Sequence, residues 1–468
     1  MLPRNINYKT TLAIVIGGVI GSGIFMKPSL MMAQLGSPIL LLSIWIIGGL
    51  ITLLGALTNA EVASLFPETG GQYVFFQKMY GDGFAFLYGW AAFAVFNTAG
   101  NASIAYVFSQ YANYFVQLPK FSTEIEHLFK LNIPFVGHFY LLENIGVKAL
   151  TILLILMLSL LNYFSVKQSG TLQRILTSLK IIAIGLLLIG IFFSGKGSFT
   201  HLHETITVTD NSWLMAVNAM AAMAGAFWAY DGWNNITFIA GEIKNPRKNI
   251  PKSLLVGLSL CITIYVLVNL AYIYILPTNA FANSSFTAAD TATAAWGKTG
   301  GAFIALMVML STVGTSNANI LATARVTFAM GNESKLFTTA AVVHKKYKTP
   351  GNAILLNAIL SILFVLSGSF DTLTDMLIFV SWFFYGMSSL GVIVLRYKYK
   401  NLSRPYKVPL YPIVPAVFIL FTIAYLVLTV YNDVLQFNEG KAPIINSVFG
   451  ILITCAGLPV YWLSKKKN

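Results

Sequence analysis

The sequence predicts an all-α polytopic membrane protein. Of its 468 residues, 56% are hydrophobic, and the mean hydropathy is +0.72. Only 10% are charged, against about 25% in soluble domains. Apolar runs of roughly 18 residues or more recur from one end to the other, each long enough to cross about 30 Å of hydrocarbon.

Taken in order, twelve spans are expected at residues 10–30, 39–65, 84–112, 147–165, 169–194, 212–242, 253–276, 301–330, 353–369, 374–397, 412–431 and 443–463. With both termini cytoplasmic, about 22 Lys and Arg fall on the cytoplasmic side and about 7 on the other, the asymmetry of the positive-inside rule. The net charge of +14 therefore reads as topology, carried by EIKNPRKNIPK, HKKYK, RYKYKNLSRPYK and the terminal SKKKN. Their place in the connections between apolar spans argues against a nucleic-acid surface. The lipid bilayer is the implied partner, and neither a cofactor nor a metal is implied. Span 1 has no small-residue cleavage site after a short apolar core, so it is expected to be retained.

The connections are short except for three outward ones, at about 113–146, 195–211 and 277–300. The first mixes charges, prolines and aromatics and is expected to carry a short surface helix. No separate soluble domain is expected. After span 2, PETGGQYVFFQKMYGDG has glycines at both ends and amphipathic aromatics between, suggesting a helix along the cytoplasmic surface. Cys261 and Cys455 both fall in apolar spans, where inert thiols are the expectation. His127, His138, His201, His203 and His344 all fall in connections, and the pair His201–His203 is too sparse for a metal site. Glu61, at the end of span 2, is expected to pair with a basic loop residue rather than to move protons.

Two spans carry interruptions. GGVIGSGIF, residues 17–25, places Gly17, Gly18, Gly21 and Gly23 inside span 1, where each glycine costs about 1 kcal/mol of helix stability relative to alanine. Span 6 is interrupted at Asp231-Gly232. The two lie five spans apart, so the first ten read as two halves of five, and an odd number per half reverses topology between them. Interrupted helices at matching places of inverted halves point to a transporter's binding site. Backbone freed from helical geometry at that depth must line a cavity or bind something. The half-helix beginning near Ser22 offers its positive end to a carboxylate, and the carbonyls around Val19 and Ile20 suit an ammonium. A free amine with a free carboxylate is an amino acid. Glycines for close helix packing are the alternative, weakened by the paired break in span 6.

The motifs GGVIGSGIF, AEVASLFPETGGQYVFF, FWAYDGWNNITFIAGEIKNPRKNIP, GTSNANILATARVTFAMG and LRYKYKNLSRPYKVPLYPIVP resemble the amino acid–polyamine–organocation (APC) superfamily, nearest its L-type amino acid transporter branch of bacterial type. The resemblance covers nearly the whole chain. It implies the fold of the bacterial leucine transporter: a first inverted repeat at 1–197, a second at 198–400, and spans 11 and 12 with a cytoplasmic tail at 401–468, working by alternating access. It also implies that Ser22 and Gly23 hold a substrate carboxylate. The Val19 carbonyl, with Trp228, Ala229 and Asp231, would meet the amino group, and Ile20 and Gly21 complete the expected substrate-binding backbone. Trp228 matches an aromatic lid that is often Phe in this branch. Trp382 and Tyr385 match a gating region, although aromatics in spans more often serve packing.

Two charges at depth stand out. Asp231 sits where many relatives have a small neutral residue; it caps the second half of span 6 through the amide of Trp233 or Asn234, or acts as a counter-charge or proton site. Lys180 lies about nine residues into span 5, where a lysine costs at least ~2.5 kcal/mol unless it finds acceptors. The resemblance implies that it replaces a sodium ion between spans 1 and 8, with partners near Gly17 and Ile20 and with Thr315 and Asn319.

The expected function is secondary transport of L-amino acids, neutral ones, across a plasma membrane of bacterial inner-membrane type, by sodium-independent exchange. Proton-coupled uptake and transport of cationic amino acids or polyamines are the alternatives. A membrane enzyme would need intramembrane nucleophile–base or metal clusters, and a scaffold would not need two broken helices. The connection 113–146 has no cysteine; in animal members of the branch a cysteine there tethers an accessory glycoprotein, so no disulfide-linked partner is expected.

Overall fold

The computed structural model describes residue 4 and residues 6–68, 70–333 and 338–464. The lysines of the terminal SKKKN lie outside the described residues.

Nine helices among the described residues are long and apolar enough to cross a membrane, ten when the bent pair Tyr8–Val19 and Gly23–Leu35 is taken as one span. Two shorter apolar helices, Ser178–Phe192 and Gly351–Ser367, occupy the places of spans 5 and 9. The count of twelve rests on including those two.

Local chemistry sets several helix starts. Asn7 Oδ1 accepts from the Thr10 amide at 3.0 Å and opens span 1. Ser37 and Pro38 open the helix Pro38–Leu65, the proline supplying a helical φ where an amide would go unbonded. Asn211 Oδ1 accepts from Trp213 and Leu214 at the head of span 6.

Leu153, Leu156, Met157 and Leu160 are exposed along span 4, as are Ile39, Ile46, Ile47 and Leu50 along span 2. In lipid such faces are at no disadvantage, and polar groups turn inward to one another. Asn162 donates to Asn317 at 2.9 Å, Ser316 to Asn101 at 2.9 Å and Thr327 to Asn357 at 2.8 Å. These bonds hold span 8, Lys298–Glu333, against spans 4, 3 and 9.

Three segments depart from expectation. The connection 113–146 contains one helical turn, Thr123–Glu126, but also an antiparallel hairpin pairing Lys130–Ile133 with Gly137–Tyr140. Phe135 (φ 63°) and Gly137 (φ 128°) reverse the chain, and the amide of Ile445 ties it down by donating to the Val136 carbonyl at 2.8 Å. The helix after span 2, Gln72–Tyr80, forms between Gly71 and Gly81, both at positive φ. Its Phe75, Phe76 and Met79 are buried, and Phe76 packs on Phe384 of span 10 with centroids 5.9 Å apart, so the aromatic face is turned into the protein. Span 6 was expected to resume as a half-helix to residue 242. It instead ends at Tyr230, followed by a four-residue turn Asn235–Phe238 and a short 3-10 segment Ala240–Glu242.

Candidate substrate site

The two breaks meet. The helix Tyr8–Val19 ends at Ile20, whose backbone is extended, and the chain restarts as Gly23–Leu35 after a 42° bend. In span 6 the helix Ser212–Tyr230 gives way to extended Asp231 and to Gly232 at φ 97°. A Cβ on Gly23 would stand 2.6 Å from Ala229 Cα, and one on Gly18 would stand 3.1 Å from the Gly232 carbonyl oxygen. Glycine at these positions lets two irregular backbones touch.

The Lys180 ammonium lies buried and donates to the carbonyls of Gly17 at 2.8 Å and Ile20 at 2.5 Å. An ammonium has three donors, and two are spent on backbone that the break in span 1 has freed. The Tyr265 hydroxyl stands 2.9 Å from the Val19 carbonyl and 3.0 Å from that of Ala229, joining the two breaks. Thr315 and Asn319 do not hydrogen-bond Lys180. The Thr315 hydroxyl donates to the Ser311 carbonyl, and the Asn319 amide to that of Asn97.

A cavity of about 730 Å³ opens beside the breaks. Val19, Gly21, Ser22, Gly23, Trp228, Asp231, Thr315, Asn319 and Tyr385 line it. Ile20 and Ala229 stand behind the wall with their carbonyls committed to Lys180 and Tyr265. The Ser22 hydroxyl and Trp228 Nε1 have no hydrogen-bond partner among the described residues. Of the first amides of the helix Gly23–Leu35, that of Phe25 donates to the Ser22 carbonyl at 3.1 Å, and those before it have no preceding turn to bond.

Asp231 accepts from the Tyr385 hydroxyl at 2.7 Å. This replaces the expected cap through Trp233 or Asn234. With no full half-helix following, there is no helix end for Asp231 to cap, and the carboxylate turns to span 10 instead. Trp382 does not line the cavity: it stacks on Phe227 at 3.6 Å and packs among Phe418, Phe421 and Tyr425. Trp228 does, with its ring edge-on to Phe370 at 6.1 Å.

The cavity is asymmetric. Thr10, Ala13, Asn235 and Arg325 are exposed along its wall, whereas Gly23, Ile24, Phe25 and Lys27 beyond the break are buried. It opens toward the face that carries the basic connections and is shut toward the opposite face. There Lys27 Nζ bonds Asp371 Oδ1 at 2.7 Å and Asp375 Oδ1 at 3.1 Å, linking the second half of span 1 to span 10. On the basic face Glu61 accepts two hydrogen bonds from Arg396, at 2.9 and 2.7 Å, and one from the Val408 amide at 2.8 Å, with Arg404 at 3.4 Å.

Several of these residues went unread in the sequence. Lys27 carried a legible signal, a charge in an apolar run, but its partners lie more than 340 residues away. Tyr265 carried none. Asn97 follows a π-helical segment, Ala92–Phe96, a distortion that only the folded chain reveals.

A profile described as amino acid permease matches residues 6–454. The chain belongs to this family. Family membership makes this permease a transporter of amino acids and not an enzyme. It is 31% identical to the serine/threonine exchanger SteT of Bacillus subtilis (strain 168), over 100% of this chain and 98% of that protein. It is 30% identical to the human large neutral amino acids transporter small subunit 2, over 99% of this chain and 80% of that protein. Against the mouse b(0,+)-type amino acid transporter 1 the identity is 27%, over 99% and 88%. The permease is thus similar throughout its length to amino acid exchangers and transporters, on the L-type side of its superfamily.

Proposed function

We propose that this permease exchanges neutral L-amino acids across a bacterial inner membrane by alternating access, without sodium. Substrate carboxylate docks on the amides of Ser22 and Gly23, and substrate ammonium on the cavity-lining Val19, Trp228 and Asp231, with the Trp228 ring as lid. The observation that carries the reading is the Lys180 ammonium on the Gly17 and Ile20 carbonyls, a fixed positive charge between unwound backbone oxygens that would suit a metal cation equally well. A lysine ammonium there occupies the place such a cation would take and leaves none to couple. Exchange of neutral substrates also accords with the printed names of the serine/threonine exchanger and the large neutral amino acid transporter subunit. Twelve crossings, two inverted repeats at 1–197 and 198–400, cytoplasmic termini and action without a disulfide-linked partner belong to the same reading.

The test is counterflow of radiolabelled amino acids in proteoliposomes. Uptake should require amino acid inside, persist when choline replaces sodium, and resist competition by methyl esters and N-acetyl derivatives. Strict sodium dependence overturns it. Asp231 on the cavity wall favours a second reading, transport of cationic amino acids, in which lysine and arginine compete better than serine and leucine.

A further inference from the structure

We propose that the mouth of the cavity on the basic face holds a second site for a zwitterionic amino acid, with Arg325 taking the carboxylate and Gln72 the ammonium. This rests on the reading of the central site above and adds a station between it and solution.

The spacing along span 8 separates the two stations. Thr315 belongs to the level of the break, since its methyl lies 3.7 Å from where a Cβ on Gly21 would stand. Arg325 is ten residues further along the same helix, and at about 1.5 Å per residue that is about 15 Å nearer the mouth. The two charged groups of an α-amino acid are separated by a single carbon, so a molecule held at the breaks cannot reach Arg325 with its carboxylate. A volume of about 730 Å³ is in the range that encloses drug-sized ligands, so one small amino acid leaves the mouth unfilled.

The chemistry at that end suits a zwitterion. Among the described residues, two charged side chains line the cavity: Asp231 at the breaks and Arg325 at the mouth. Arg325 is exposed and makes no ion pair or hydrogen bond among the described residues. A guanidinium keeps its proton, and its planar fork matches a carboxylate with two parallel hydrogen bonds.

Gln72 also lines the cavity, yet it is fully buried and neither its amide oxygen nor its amide nitrogen has a partner among the described residues. Two unpartnered buried polar atoms on one side chain are costly unless a visitor satisfies them. Packing puts this residue at the mouth: its neighbour Gly71 presses on Thr237 and Phe238, and its neighbour Tyr73 approaches Gly89, which also faces Met330, five residues past Arg325. The Gln72 amide oxygen is the acceptor an ammonium needs beside a guanidinium-bound carboxylate.

The experiment is equilibrium binding to the purified full-length chain, with L-[3H]serine and L-[3H]leucine as separate probes. Wild type should bind about two molecules per chain, and Arg325→Gln and Gly23→Val about one each, since each removes one station of independent chemistry. Combining them should abolish binding, and Gln72→Leu in the Gly23→Val background should weaken the remaining site at least about tenfold. The molecule still bound by each single variant reports that it is folded. One molecule per chain, lost in Gly23→Val and kept in Arg325→Gln, overturns the mouth site and leaves the central site standing. One molecule, lost in Arg325→Gln and kept in Gly23→Val, does the reverse. Serine methyl ester displacing the mouth molecule as well as serine would show that Arg325 reads no carboxylate, and absence of saturable binding removes both sites.

Discussion

On the face opposite the basic connections, Lys27, Asp371 and Asp375 close over the cavity from two spans; on the basic face, Arg325 stands at a wide mouth with no partner among the described residues. The ion group joins the second half of span 1 to span 10, so it breaks whenever those two part. The Glu61 group on the basic face lies beside the mouth rather than across it, strapping the end of span 2 to span 10 and the loop beyond. One face is held shut by contacts between elements that line the cavity. The other is braced at its side and left open. A transporter needs the first kind of contact to be breakable and the second to endure.

The strongest way to break this comparison is to stop the movement at its pivot. Gly23→Val should reduce exchange to background while the protein still inserts and purifies as a single species. The new side chain would collide with Ala229, whose Cα lies 2.6 Å from even a Cβ, and would hold the two breaks apart. Normal exchange in this variant would detach the breaks from the mechanism.

Lys180→Ala comes next. It leaves the Gly17 and Ile20 carbonyls without their donor, a loss of about 1–3 kcal/mol for buried acceptors. Turnover should fall at least about tenfold, with a smaller change in binding measured at equilibrium. Sodium should not restore it; full rescue by sodium would mean that the site still selects an ion.

Lys27→Met tests the shut face directly. Without the ammonium, Asp371 and Asp375 are left as two carboxylates one turn apart on span 10, and closure loses its attraction. In a background with Cys455→Ser and Ser381→Cys, a membrane-impermeant maleimide added from the opposite face should react at least about fivefold faster in Lys27→Met, the lower end of a conformational coupling of about 1–3 kcal/mol. An unchanged rate would leave the ion group a bystander.

The legibility of these features followed their range. The break in span 1 was visible because four glycines and a serine compete with an apolar pattern within nine residues. Lys180 was visible because a charge at that depth is costly wherever it sits. Its carbonyl partners were expected through the family resemblance, whereas Thr315 and Asn319 found nearer acceptors in Ser311 and Asn97. Trp382 carried the same local signal as Trp228, and only packing separates them: one stacks on Phe227 behind the wall and the other lines the cavity. The hairpin Lys130–Ile133/Gly137–Tyr140 escaped because four-residue strands leave almost no periodicity. The shortened end of span 6 escaped because ITFIAG, residues 236–241, turns apolar again although no full helix resumes there. The Lys27–Asp371 and Tyr265–Val19 contacts are tertiary facts, and no window along the chain contains both partners.

The smallest effect sharpens the comparison at the lid. Trp228 lies at the boundary between the shut half and the open cavity, lining the latter while its edge meets Phe370, the residue whose ring also lies under Lys27 Nζ at 5.1 Å. Its indole nitrogen has no partner among the described residues, so replacing it by phenylalanine strands no acceptor. What changes is volume. Trp228→Phe should therefore stay active and shift side-chain preference toward bulkier substrates by about tenfold, the scale on which apolar pockets discriminate by size. The measurement is competition by alanine, serine, leucine and phenylalanine against a single labelled substrate, scored as ratios so that a general loss of activity cancels. If the ratios are unchanged, Trp228 shapes closure but not the pocket. Trp228→Ala then decides whether it does even that, because a lid without an aromatic ring cannot rest on Phe370 and should lose most transport.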